Sequence, residues 1–170
     1  MRTTSPQRDR ASDERGFSLI ELMVVVLIIA ILIAIAIPTF MGARRTANDR
    51  ATQANVRNAF TATRVYYNEK LSYTTDMAAM LAVEPSLRWT TSALDGTSDE
   101  RAVRVQVFDD PGPAQTVVVV GRSAQGRCFY LRDVMGGTGA GTYYDRDVDG
   151  SSACPDVADP STITAESWSS

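Results

Sequence analysis

Glu21 is the residue in this sequence whose chemistry most needs a partner. It stands inside Phe17–Ile37 (FSLIELMVVVLIIAILIAIAI), where 19 of 21 residues are apolar and only Ser18 and Glu21 are not. A carboxylate at membrane depth costs about 3 kcal/mol unless it is neutralised or paired. A position near a helix start softens that cost through the N-terminal dipole and through snorkelling of the side chain. A cation at the same depth would remove it. Cutting the chain between Gly16 and Phe17 would supply one, an α-amine four residues before Glu21. That amine could neutralise Glu21 of its own chain or of a neighbour, and the second pairing would link each added subunit to the one before it.

The other residues with chemistry to offer lie near the C-terminus. Asp145-Arg146-Asp147-Val148-Asp149-Gly150 places carboxylates at alternate positions ahead of a glycine, with Asp156 at the twelfth position. This resembles a calcium-binding loop, so calcium at Asp145, Asp147, Asp149 and Asp156 is one expectation. Asp156 is shorter than the usual bidentate Glu, Cys154 lies inside the loop, and no helix pair flanks it; a solvated acidic hairpin tip is the competing reading. Cys128 and Cys154 enclose 27 residues. A disulfide there would restrict the unfolded chain by about 3.5 kcal/mol in the loop-entropy model, whereas a cytoplasmic head would leave two buried thiols.

Little else could do chemistry. The 170 residues contain no histidine, which removes the commonest general base and metal ligand. Gly136–Gly141 is glycine-rich but lacks the lysine and following helix of a phosphate loop, so it reads as a connection. No nucleophile–base pair or cofactor fingerprint appears, and the expectation is a non-enzyme that requires no cofactor. With 17 basic and 20 acidic residues the formal charge is −3, and no nucleic-acid partner is expected.

The elements that must position these residues are read from the apolar pattern. Twenty-one helical residues span roughly 31 Å, close to the hydrocarbon thickness of a bilayer. A charged stretch with Arg2, Arg8, Arg10 and Arg15 precedes the run. A secretory signal begins the same way, and Ala34-Ile35-Ala36 offers a cleavage site for it. The run is longer than a usual signal core, however, and continues through Pro38 into helix-compatible sequence. Phe40, Ala43, Ala47, Ala51 and Ala54, then Ala59, Phe60, Thr63, Tyr66 and Tyr67, recur at helical spacing. One helix is therefore expected from Phe17 to about Glu69, kinked or melted near Pro38 and Gly42. Arg50, Arg57 and Arg64 share one face, read as a solvated flank in preference to a contact with acidic loops of a neighbouring head or with DNA phosphates.

Beyond the helix, Asp76–Val83 reads as a short helix with Thr75 as N-cap. Ala102–Phe108 alternates with Val103, Val105 and Val107 on one face, and Gln115–Val120 reads as a strand buried on both faces. Arg127–Arg132 and Thr142–Asp145 read as a third and a short fourth strand. The expected fold is α+β: a long N-terminal helix whose upper half packs against a small antiparallel sheet. Trp168 either packs back on this head or lies in a polar tail.

Arg15-Gly16-Phe17-Ser18-Leu19-Ile20-Glu21-Leu22-Met23, followed by the apolar helix and Pro38, resembles the N-terminus of a type IV prepilin over about the first 50 residues. The resemblance implies cleavage by prepilin peptidase after Gly16 and N-methylation of Phe17. It also implies assembly through Phe17, Glu21 and Pro38, leaving a mature subunit of 154 residues, Phe17–Ser170. The implied organisation is a leader (1–16), a membrane and polymerisation helix (17–38), the rest of that helix (39–69) and a globular head (70–170). The implied partners are copies of the subunit, the peptidase, the assembly machinery in the membrane and, before assembly, the lipid bilayer. The precursor would sit in the cytoplasmic membrane with its head outside, then move to a cell-surface filament. A bridge near the C-terminus, which Cys128 and Cys154 would form, pins a loop in that family, and some pseudopilin heads hold calcium nearby. The leader is longer than that of the best-known type IVa pilins. A type II secretion pseudopilin or a minor pilin shares the same motif, and a single-span surface binding protein is the alternative of another class.

Overall fold

A computed structural model describes residues 17–109, 115–137, 139–147 and 153–168 of the chain. The elements run α1 (Leu19–Lys70), α2 (Met77–Val83), β1 (Arg88–Thr90), β2 (Leu94–Asp95), β3 (Ala102–Asp109), β4 (Gln115–Arg122), β5 (Cys128–Met135), β6 (Gly141–Asp147) and β7 (Ala153–Cys154). A single 3-10 turn, Pro160–Thr162, follows. The chain divides into two compact units between Met41 and Gly42.

In the first unit, α1 is helical from Leu19 onward and stays so across Pro38. The expected melted stretch is absent. Pro38 deletes only the N–H that would bond the Ala34 carbonyl, and the neighbouring Ile35 carbonyl accepts a bond from the Thr39 hydroxyl (3.3 Å).

In the second unit, five strands form a sheet in the order β1-β3-β4-β5-β6, antiparallel except for β1, which pairs parallel to β3. β-branched residues dominate β3 and β4, and this sheet buries them from both sides. On one face Val103, Val105, Val117, Val119, Phe129 and Leu131 pack with Val56 and Ala59 of α1. On the other, Val118, Val120, Cys128 and Tyr130 pack with Leu94, Cys154 and Ile163. Val117 to Val120 are completely buried, as the sequence implied.

The stripe of α1 that meets the sheet is Asp49, Thr52, Val56, Ala59 and Thr63, at spacings of three and four. Ala43, Ala47, Ala51 and Ala54 are exposed instead. A lone alanine methyl gains little from burial, so the bulkier Val56 and the flanking aromatics Phe60 and Tyr67 set which way the helix faces. The short α2 lies where expected, but its N-cap is Asp76, whose carboxylate accepts from the Ala78 and Ala79 N–H groups, not Thr75.

Two short elements tie the ends down. β2 pairs antiparallel with β7, placing Leu94 opposite Cys154. The C-terminal segment exchanges backbone hydrogen bonds between Tyr144 and Ala165 (2.7 and 3.2 Å). Trp168 then packs back on the head, its indole N–H directed to the Tyr130 and Asp145 carbonyls (3.0 Å each). Its ring meets Phe129 and Tyr144 edge to face.

Candidate functional site

From Phe17 to Met41 every residue is exposed, and the large apolar side chains there are 45% to 76% accessible. Burying each such side chain yields ~1.5–3 kcal/mol, so the segment carries tens of kcal/mol of unspent apolar surface. No stretch of this kind rests in water; lipid or other apolar helices must cover it. Leu19, Leu22, Met23, Val26, Leu27 and Ala30 line one shallow groove along it, following the helical period. Glu21 falls in the first turn of α1, where the unpaired N–H groups favour negative charge. Leu22 N–H donates to the Ser18 carbonyl (3.2 Å), so the helical bonding starts directly behind Phe17. Phe17, Glu21 and Pro38 thus lie along one exposed apolar helical segment. Gly16 lies outside the described residues.

The second candidate region is the C-terminal loop. Cys128 and Cys154 form a disulfide, both sulfurs completely buried. Beside it stands Arg104, which the alternation of β3 would have turned outward. It is fully buried because the loop and β7 cover that face of the sheet. Its guanidinium donates to the Cys154 carbonyl (3.2 Å), the Pro155 carbonyl and the Asp156 carboxylate (2.8 Å). Burial pulls the Arg104 pKa below its ordinary value, and the Asp156 charge opposes that shift. The result is a clamp holding the chain after β7 against the sheet.

This clamp bears on the calcium expectation. Asp145 and Asp147 lie on β6, Asp149 lies outside the described residues, and Asp156 is engaged by Arg104. A cation at Asp156 would therefore face a buried guanidinium. Among the described residues, no three His, Cys, Asp or Glu side chains gather around a metal position.

All three arginines of the row are exposed, as expected of a flank, but two of them also have partners in the head. Arg64 makes a bidentate pair with Asp133, itself completely buried on β5 (3.0 and 2.7 Å). Asp133 also accepts from the Tyr73 hydroxyl and the Thr142 hydroxyl (2.8 Å). Arg57 lies over the Trp168 ring, 5.0 Å from its centroid. Regular spacing located the face correctly but could not reveal that a buried carboxylate and an indole lie across from it. Asp133 shares strand period with Phe129 and Leu131, the one available sign that it points inward.

A bare apolar helix, continuous with a helix that carries a mostly antiparallel sheet, is the pilin-like α+β fold. Residues 11–37 match the family described as the prokaryotic N-terminal methylation motif. The chain is 41% identical over 69 residues to the type IV wide pilus major component PilA4 of Thermus thermophilus, covering 41% of this chain and 53% of that protein. It is 41% identical over 71 residues to the type IV major pilin protein PilA of Myxococcus xanthus, covering 42% of this chain and 32% of that protein. The match thus spans about half the length of the first relative and a third of the second. Residues 11–37 of this chain thus carry a prokaryotic N-terminal methylation motif, and both relatives are major components of type IV pili.

Proposed function

We propose that this chain is the precursor of a major subunit of a type IV pilus. Residues 17–38 hold the precursor in the cytoplasmic membrane with the head, 70–170, outside the cytoplasm. Prepilin peptidase hydrolyses the Gly16–Phe17 amide, the leader 1–16 is discarded, and the Phe17 amine is methylated. The assembly machinery then moves the subunit from lipid into a filament, where helices of other copies replace lipid around 17–38.

The observation that carries this reading is the wholly exposed apolar helix that runs through the matched methylation motif and just beyond it. Lipid and neighbouring helices are both apolar, so the transfer changes the hydrophobic energy little. Register must then come from polar matching, and in this sequence the Phe17 amine and Glu21 carboxylate can supply it. Paired, the two charges offset part of the cost of sitting in an apolar medium; left alone, each bears it in full.

The test is Glu21→Val in the full-length chain in cells that assemble filaments. Processing should stay within about twofold of wild type while incorporation into filaments falls by at least tenfold, roughly 1.4 kcal/mol or more. Normal incorporation of Glu21→Val would refute the pairing.

A further inference from the structure

Next to the disulfide loop, an open cleft of about 600 Å³ is lined by Thr46, Asp49, Arg50, Gln53, Arg57, Arg127, Arg146 and Trp168, all in the second unit. Four guanidinium groups stand around it against one carboxylate. In a chain whose formal charge is −3, this concentration of positive charge runs against the average.

The single carboxylate narrows what could occupy the cleft. Asp49 is only 6% exposed; its Oδ2 accepts from Arg127 (2.8 Å), and its Oδ1 is buried with no hydrogen-bond partner. Asp49 is thus closed off in the wall and offsets Arg127, which leaves Arg50, Arg57 and Arg146 to set the charge an occupant meets. A nucleic-acid strand would find no exposed carboxylate here for its base N–H groups. The Trp168 ring is no platform for a base either, since Arg57, Phe129 and Tyr144 already pack on it. An acidic peptide segment fits this lining, with its carboxylates toward Arg50 and Arg146.

We propose that this cleft receives an acidic segment of a second copy of the chain and so sets the contact between neighbouring heads. The proposal rests on the filament reading above. Identical chains are then the molecules that meet at high local concentration, and exposed Asp99, Glu100 and Glu166 show that the surface has acid to offer. A basic cleft on one copy engaging a different, acidic patch on the next is a heterologous contact, the kind that extends an open filament.

The experiment uses the full-length chain in filament-forming cells. A photo-crosslinking residue replaces Gln53, the crosslinked peptides in purified filaments are identified by mass spectrometry, and Arg50→Glu with Arg146→Glu is assayed beside it. The expected result is a crosslink from position 53 to an Asp- or Glu-bearing segment of another copy. The double variant should yield about tenfold fewer filaments, while the melting midpoint of the protein stays within about 2 °C of wild type. Filaments carrying the photo-crosslinking residue that react at position 53 only with nucleic acid or lipid, or not at all, overturn the proposal. Normal yield from the double variant overturns it as well. Neither result touches the filament reading, whereas a wild-type chain that forms no filaments removes both.

Discussion

Asp133 has no exposure, yet it accepts hydrogen bonds from Arg64, Tyr73 and Thr142. Three donors on one buried carboxylate make the ion pair tolerable where an unpaired charge would cost several kcal/mol. Burial and the adjoining Asp133 carboxylate push the Tyr73 hydroxyl well above its ordinary value near 10. The unfolded chain then releases that proton near pH 10 while the folded head retains it. This share of the stability is therefore whole below about pH 10 and declines as pH rises above it. Tyr130, pushed up to about 12 by burial, acts in the same direction. Denaturant titrations between pH 8 and 11 should show stability falling above pH 10, with a shallower fall in Tyr73→Phe. A flat profile for the wild type would contradict the buried placement of both phenols. Of the buried charges, only the inward phase of Asp133 was legible in the sequence; that of Arg104, beside the disulfide, was not. A strand pattern shows which residues share a face, but not that a distant segment will cover the opposite one.

At the scale of elements, the tightest joint is between β4 and α1. A Cβ built on Gly121 would lie 2.5 Å from Val56 Cγ2 and 3.0 Å from Thr52 Cγ2, so only glycine lets the strand approach the helix this closely. Gly121→Val should cost about 1–3 kcal/mol by overpacking, read as a lower denaturation midpoint, and Val56→Ala in the same chain should recover part of it. An unchanged midpoint would mean the helix does not bear on β4 there. Elements with a long period were legible in advance: α1 and strands β3 to β6 lie within a few residues of their expected places. β1, β2 and β7 are two or three residues each, too short to carry any period. They exist because neighbouring strands and the disulfide bring their backbones together. The unbroken helix at Pro38 has a similar cause, since one missing hydrogen bond is a local loss within a 52-residue element.

The whole molecule joins two problems with different solutions. The head spends its apolar residues internally, on both faces of one sheet, and closes its C-terminal loop with a disulfide and a buried arginine. The segment from Phe17 to Met41 spends none of its own and must find its partners outside the chain. That contrast was legible in the order of the residues, because one unbroken apolar run stands apart from an otherwise ordinary polar sequence. The proposed new N-terminus rests on the motif around Gly16 and Phe17, since only a cut there sets an amine four residues before Glu21. Intact mass and fragmentation of the N-terminal peptide, on protein taken from membranes and from shed filaments, test this most directly. The account predicts a peptide that begins at Phe17 and carries one methyl group on its amine. A peptide beginning at Ile37 would make the apolar run a discarded signal, and an intact Met1 or Arg2 end would make it a permanent anchor; either would contradict the account.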